Sequence, residues 1–408
     1  MKKRLIVIGG GAAGFFCAVN AAANAQLDVT ILEKSSKLLS KVKVSGGGRC
    51  NVTHNCNSIA EMVKKYPRGE KFLKKTFHHF FTSDTITWFQ KRDVQLKTES
   101  DGRMFPASDS SQTIIDCLLK EAGQAGVHVI TNVDIAGIEK KAERFVLQSR
   151  SGKTFQSDYL CIACGGFSKT DQYKWIIDMS GHSIEPPVPS LFTFNLVEKA
   201  ITQLMGISVE PAQVKINKTK FEETGPLLIT HWGLSGPAVL KLSAFAARYL
   251  HGQNYDFQIA VNWIPQYNEV SCLEFLRSFR NKFSSRKIVN TNPFNLPQRL
   301  WEYHMKECGI SQDTRWADLI ARSQNLLAKQ LCTNVYRVKG KTTFKEEFVT
   351  AGGIRLSEID PRKMESILVP HLYFAGEIMN VDGITGGFNF QHAWTSGWIA
   401  AKAINSNF

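Results

Sequence analysis

The chain has 408 residues, 43% of them hydrophobic and 21% charged, a balance that excludes wholesale disorder at a length that gives roughly two or three domains. Fifty Lys and Arg against 36 Asp and Glu leave a formal net charge of +14, which points toward a polyanionic partner or an anionic surface. Nine cysteines, an odd number at low density, exclude a disulfide scaffold and fit a reducing, cytoplasmic compartment.

Residues 1–26 have a basic start, an apolar middle and small residues near the end, the outline of a signal peptide. Three consecutive glycines inside the apolar stretch, and a further strand ending in an acid at Asp28–Glu33, argue instead for a β-α-β start and against secretion. Leu5–Ile8 reads as a buried parallel strand, and Gly9, Gly11, Ala13 and Gly14 form a G-x-G-x-x-G turn that opens a helix. The first glycine permits the turn, the second lets backbone reach a pyrophosphate, and the third lets helix and strand pack. The phosphates then lie at the positive end of the helix. Glu33, about twenty residues on, suits ribose hydroxyls, so the dinucleotide is FAD or NAD rather than NADP. No later run is long and apolar enough to span a bilayer.

The glycine loop Lys43-Val-Ser45-Gly46-Gly47-Gly48-Arg49-Cys50-Asn51 follows closely, so it should run along the cofactor from ribose and pyrophosphate toward the reactive ring. Its N–H groups can line phosphate, Arg49 can neutralise it, and Asn51 can bond the ring edge. Cys50 has three readings: a proton donor to a substrate carbon, half of a redox pair with Cys56, or a thiol packed beside the ring. Lys64, Lys65, Arg68, Lys71, Lys74, Lys75, Lys91 and Arg92 are then interleaved with Phe72, Phe77, Phe80, Phe81, Trp88 and Phe89. Bases could stack on such rings while the cations hold phosphate; the rival reading is an amphipathic helix pair with the rings in the core. His78-His79 lacks metal spacing and belongs on a basic helix, and no metal site is expected.

Asp158–Ile162 reads as a strand running into Ala163-Cys164-Gly165-Gly166, a small-residue turn beside the dinucleotide. Cys161 and Cys164 fall on this strand and its end, which argues against a redox C-x-x-C. Pro186-Pro-Val-Pro189 marks a breakpoint. Beyond it the period becomes strand-like at Leu191–Val197, Ile207–Ile216, Leu227–Trp232 and Tyr255–Trp263, then helical from about Asn268 to Thr333, and strand-like again over Asn334–Thr350. This predicts a cofactor domain of residues 1–189 and 350–408, a β-rich barrel of 190–267 and 334–349, and a helical domain of 268–333. The insertion adds Arg277, Arg280, Lys282, Arg286, Lys287 and Arg299 to the basic surface.

The far end separates FAD from NAD. Leu372-Tyr-Phe-Ala-Gly376-Glu377 reads as a late parallel strand closing in glycine and an acid, followed by Asp382, Gly386, Gly387, Phe388 and Asn389 and a helix over His392–Ile404. The acid at the strand end can hold a ribitol hydroxyl, and glycines at a helix start can donate N–H groups to a flavin carbonyl. His231 and His392 are the histidines placed to face a substrate.

Taken together, Gly9–Gly14, Ser45–Asn51, Ala163–Gly166, Thr230–Pro237, Thr350–Ile354 and Phe374–Gln391 resemble the BaiN/RdsA family of NAD(P)/FAD-dependent oxidoreductases over essentially the whole chain, with Ser-Gly-Gly-Gly-Arg-Cys-Asn the most specific piece. The resemblance implies an α/β fold in which a Rossmann-like FAD domain is interrupted by a barrel and a helical domain. It also implies reduction of carbon–carbon double bonds, in uracil of ribosomal RNA or in unsaturated bile-acid ketones. Cys164 departs from it, standing where such flavoproteins usually carry threonine. Lys34 and Val133 complete the expected cofactor contacts. A single G-x-G-x-x-G leaves no separate nicotinamide domain, so NADH or NADPH is expected as a transient electron donor. The expected function is reduction of uridine to dihydrouridine in ribosomal RNA, with Cys50, Asn51 and His231 as catalytic candidates. The alternatives are a small-molecule enone reductase and a non-catalytic flavin-bearing RNA-binding or sensor protein.

Overall fold

The computed structural model of the chain describes residues 2–342 and 349–408. These fall into two units, one of residues up to 190 and from 349 onward, the other of residues 191–342.

In the first unit β1 (Lys3–Ile8) lies between β2 (Leu27–Leu32) and the strand Tyr159–Ile162, with His128–Ile130 beyond β2 and Leu372–Phe374 beyond Tyr159–Ile162. Every pairing in this sheet is parallel. Leu5–Ile8 and Tyr159–Ile162 are buried throughout, which is why both read as unbroken apolar runs rather than alternating ones. Ile8 is opposite both Leu32 and Ile162, and Ile162 is opposite Phe374. The residues that follow, Gly9, Glu33, Ala163 and Ala375, therefore leave the sheet side by side along one edge. The order of strands reverses at β1, the place where such sheets bind ligands.

Two helices cover this edge closely. α1 (Ala12–Ala21) follows the glycine turn, and the C-terminal helix Phe388–Asn405 packs on it. A Cβ on Gly14 would lie 1.9 Å from the Gly9 carbonyl oxygen, and one on Gly9 would lie 2.4 Å from that of Ala163. Both glycines are thus demanded by protein packing alone.

The basic and aromatic stretch resolves in favour of the core reading. Phe72, Phe77, Phe80, Phe81, Trp88 and Phe89 are all buried, and Phe16 of α1 packs on Phe80, Trp88 and Trp394 at centroid distances of 5.6, 4.6 and 5.2 Å. These rings are spent inside the protein and offer no stacking platform. His78 and His79 are exposed just past the helix Glu70–Thr76 rather than on it, because that helix ends as Phe77 turns into the core. The proline segment also differs from a simple breakpoint. Ile184–Ser190 pairs antiparallel with Val349–Ile354, and the register shifts between Glu185 and Val188, which accommodates prolines that cannot donate to a ladder.

The second unit is built on a closed barrel with the strand order Thr193–Leu196, Gly233–Ser235, Glu222–Ile229, Ser208–Ile216, Asp256–Asn262 and Asn334–Thr342. Gly233–Ser235 is too short to show a period in sequence. Of the strand expected over Asn334–Thr350, residues 343–348 lie outside the described residues. The helices Glu269–Lys282, Gln298–Glu307 and Ala321–Cys332 share one apolar core with the barrel, in which Leu276, Trp301 and Leu331 meet Trp263, Ile259 and Val338. No helix of the described residues is long and apolar enough to cross a membrane.

Because overpacking a closed contact costs typically 1–3 kcal/mol, Gly14→Ala is expected to lower unfolding stability by about 2–3 kcal/mol, read as a shift in the urea midpoint at unchanged slope.

Candidate cofactor-binding site

The strand-end edge gathers residues that are remote in sequence. β1 delivers Gly9–Gly14, β2 delivers Glu33, Tyr159–Ile162 delivers Ala163–Gly166, and Leu372–Phe374 delivers Gly376 and Glu377. α1 begins at Gly11 with no side-chain cap; its first intrahelical bond is Phe15 N–H to the Gly11 carbonyl, so the N–H groups of Gly11, Ala12 and Ala13 have no partner within the helix. Glu33 accepts from the Gly10 N–H at 2.8 Å and from the Ser35 N–H and hydroxyl at 2.8 and 2.9 Å. These bonds fix its carboxylate: both Ser35 donors fall on Oε1, and Oε2, with Gly10 alone, keeps capacity for a further donor.

The glycines of the fingerprint divide by what faces them. Gly9 and Gly14 are pressed against backbone, whereas a Cβ at Gly11 or Gly165 would meet nothing within 4 Å. Open space therefore fronts the start of α1 and the turn after Ile162. Thr350 Oγ1, buried and without a hydrogen-bond partner, lies 2.7 Å from where a Cβ of Gly166 would be, and the Thr350 N–H donates to Glu377 Oε1 at 2.8 Å. A bare helix start, an open cradle and an orphaned buried hydroxyl fit an elongated dinucleotide with phosphates at α1.

The Ser45–Asn51 loop is a helical turn that breaks. α2 (Ser40–Gly48) leaves helical geometry at Ser45, and Gly46 and Gly47 turn left-handed at φ 59° and 69°. Lys43 is exposed, and its carbonyl is tied to Ser111 Oγ at 2.8 Å. Arg49 stacks over Phe105 at 4.0 Å and pairs with Glu99 at 2.6 Å, so its charge is already shared with protein. Asn51 is nearly buried, and its amide accepts from the Gly387 N–H and donates to the Thr53 carbonyl, each at 3.0 Å. It joins the two glycine loops. Cys50 is fully buried, and desolvation pushes its thiol up to about 12, while Cys56 donates to the Ser58 carbonyl at 3.3 Å.

The C-terminal loop is held from several directions. His54 stacks on Phe388 at 4.8 Å, and its Nδ1 lies 3.2 Å from the Gly386 carbonyl, which requires that nitrogen to carry the proton. The Tyr66 hydroxyl donates to the Phe388 carbonyl at 2.7 Å, and Asn389 clasps Gly383 through both amide groups. Asp382 is fully buried in a bidentate pair with Arg68 and accepts from the Ser190 hydroxyl at 2.9 Å. Burial pushes its carboxyl up, and Arg68 and Ser190 pull it back down only in part. The Asp382 carboxylate thus serves the loop, and Arg68 leaves the basic surface. So does Arg92, which pairs with Glu121 and stacks on Trp88 at 3.7 Å. Neither partnership has a local signal, since Arg68 and Asp382 are 314 residues apart.

Among the remaining candidates, Val133 is buried and donates its N–H to the Glu33 carbonyl at 2.9 Å. Lys34 is exposed beside Asp134, and desolvation pushes the Cys164 thiol up to about 12. Glu377 also pairs with Lys41 at 2.5 Å, a contact the sequence did not flag. His392 is buried and held neutral, its pKa lowered to about 4 by desolvation, with Nε2 3.2 Å from the Gly376 carbonyl. It is walled into the helix packing rather than turned outward. His231 is exposed in the second unit. No group of side chains able to hold a metal ion occurs among the described residues.

The family model of the HI0933-like protein Rossmann domain matches residues 3–403. A ribosomal RNA dihydrouridine synthase of Escherichia coli (strain K12) is 32% identical, with 98% of this chain and 97% of that protein covered. A 3-dehydro-bile acid delta(4,6)-reductase of Clostridium scindens is 26% identical, with 98% of each covered. Among solved structures, 3-ketosteroid delta1-dehydrogenase from Sterolibacterium denitrificans shares the fold with a TM-score of 0.53 at 12% identity, covering all of both chains.

At pH 8 the Cys50 thiol, raised by burial, stays protonated and shut away from solvent. Iodoacetamide at that pH is expected to label half-exposed Cys56 in the native protein and to reach Cys50 only after denaturation, as read by peptide mass mapping.

Proposed function

The chain belongs to the HI0933-like family and is an oxidoreductase, and we propose that it binds FAD along the strand-end edge and reduces a polarised carbon–carbon double bond, that of uridine in ribosomal RNA. The observation that carries the cofactor reading is the split among the fingerprint glycines: Gly9 and Gly14 answer to protein packing, Gly11 to nothing in the protein. The N–H groups at the start of α1 would take the pyrophosphate, Glu33 the ribose hydroxyls, and Glu377 with Thr350 the ribitol side. Bound FAD supplies the electron pair for the reduction. NADH or NADPH is the proposed transient donor to it.

Reduction of such a bond places negative charge on the neighbouring carbonyl oxygen and calls for a proton at the adjacent carbon. Backbone N–H groups of the Gly46–Gly48 turn suit the first task. Of the three roles open to Cys50, packing suits its burial and its raised pKa best. His231, exposed in the second unit, is kept as a candidate proton source.

Two observations support an RNA substrate. The relative covering nearly the whole chain at 32% identity is named as a ribosomal RNA dihydrouridine synthase. Lys71, Lys74 and Lys75 on the helix Glu70–Thr76 are exposed and make no ion pair among the described residues, a face suited to phosphate.

Gly11→Val is expected to yield folded protein that lacks flavin absorbance and takes up no added FAD, whereas the unaltered protein shows both; a Gly11→Val protein that retains flavin would overturn the placement. Deletion of the gene is expected to remove a dihydrouridine from ribosomal RNA, mapped by reverse-transcription stops after alkaline treatment, and restoration with Cys50→Ala is expected to return it. Unchanged dihydrouridine, with turnover of a steroid enone by the purified protein, would shift the substrate to the small-molecule class.

A further inference from the structure

Beyond the end of the helix Glu269–Lys282, the second unit carries a compact group of cations joined by backbone pairing. The Ile288 N–H donates to the Thr314 carbonyl, the Trp316 N–H to the Arg286 carbonyl, and the Ala317 N–H to the Ser284 carbonyl. This sets residues 284–288 against 314–317, with Lys287 directly opposite Arg315. Arg280 reaches across from the helix to the Ala317 carbonyl at 2.6 Å, and Arg277 lies one turn before it. The Arg286 guanidinium sits 5.0 Å from the centroid of half-buried Phe283. Arg277, Arg286, Lys287 and Arg315 are exposed.

Two structural explanations for this charge are insufficient. Cations in the last turn of a helix answer its dipole, which accounts for Arg280, but Arg286, Lys287 and Arg315 lie past that turn. Ion pairing accounts for Lys287 alone, which meets Asp313 at 2.7 Å; Arg277, Arg280, Arg286 and Arg315 make no ion pair among the described residues. Lys287 and Arg315 stand directly opposite each other, and the single carboxylate beside them, Asp313, is taken by Lys287. A polyanion laid across both would supply the countercharge that Arg315 and its neighbours lack among the described residues. Arginine-rich surfaces with a ring beside them suit RNA in particular, because guanidinium forks bond phosphate oxygens bidentately and also stack on exposed bases.

We infer that this face, formed by Arg277, Arg280, Phe283, Arg286, Lys287 and Arg315, is a docking surface for the phosphate backbone of folded RNA. It rests on the ribosomal RNA reading given above and assigns part of that recognition to the second unit, through contacts that carry no sequence information and fix the grip on the substrate.

The test compares three full-length proteins: the unaltered chain, a triple variant Arg277→Gln/Arg286→Gln/Arg315→Gln, and a control of equal charge loss on exposed lysines elsewhere in the same unit, Lys306→Gln/Lys329→Gln/Lys339→Gln. Binding to protein-free ribosomal RNA is measured by filter retention across a salt series, and folding is checked by melting temperature and flavin content. The triple variant is expected to bind about 10–100-fold more weakly at low salt, with the slope of log K against log salt reduced by about two to three, at unchanged flavin content. The control is expected to change little. Equal losses in both variants, or unaltered binding in the triple variant, would overturn the surface while leaving the substrate reading intact. An unaltered protein with no salt-dependent RNA binding would likewise overturn the surface, while the substrate reading stands or falls on the dihydrouridine map.

Discussion

The first unit depends on a contact that only the absence of side chains permits. α1 approaches the strand ends so closely that a Cβ on Gly14 would lie 1.9 Å from the Gly9 carbonyl oxygen. The C-terminal helix closes in from the other side, where a Cβ on Gly397 would lie 2.8 Å from the Ala13 carbonyl oxygen. Held at this distance, α1 starts at the sheet edge with N–H groups that have no partner within the helix, and the parallel register sets Glu33, Ala163 and Ala375 at the same edge. Loosening that contact would move the helix start, and with it the N–H groups that front the open space at Gly11.

Around this frame the polar side chains act mostly as fasteners for loops. Asn51 joins the Gly387 backbone to the turn that follows Cys50, and His54, Tyr66 and Asn389 hold the backbone from Gly383 to Phe388. The Asp382–Arg68 pair is the most consequential of these. With the carboxylate fully buried and the guanidinium nearly so, removing either partner would strand a charge away from water, which costs about 3–5 kcal/mol. Residues that look reactive in a glycine loop are therefore largely committed to shaping it.

The charge of the molecule is organised in a similar way. Arg49, Arg68 and Arg92 are committed to Glu99, Asp382 and Glu121: Arg68 grips its carboxylate through two nitrogens, and Arg49 and Arg92 stack on Phe105 and Trp88 beside theirs. Lysines of the helix Glu70–Thr76 stay in water, and their aromatic neighbours build the core. The surface that can meet a polyanion is accordingly narrower than a count of basic residues implies.

Local signals in the sequence determined the Rossmann start, the strands at both ends of the chain, the change to barrel periodicity after residue 190 and the helical stretch beyond Asn268, since each rests on a short-range period or on a glycine turn followed by a helix. They marked Gly9, Gly11 and Gly14 alike, and only the packed chain separates them: Gly9 and Gly14 serve packing, whereas Gly11 fronts open space. The tertiary structure alone decided the direction of each polar side chain. Spacing along the chain carries no trace of Asp382 meeting Arg68, of Asn51 spending its amide on Gly387, or of Phe77 and Phe89 turning inward while Lys74 and Lys75 remain outside. Nor does periodicity show the three helices of the second unit sharing the barrel's core. A periodic pattern records that a face is apolar, and only the packed chain decides what that face is buried against.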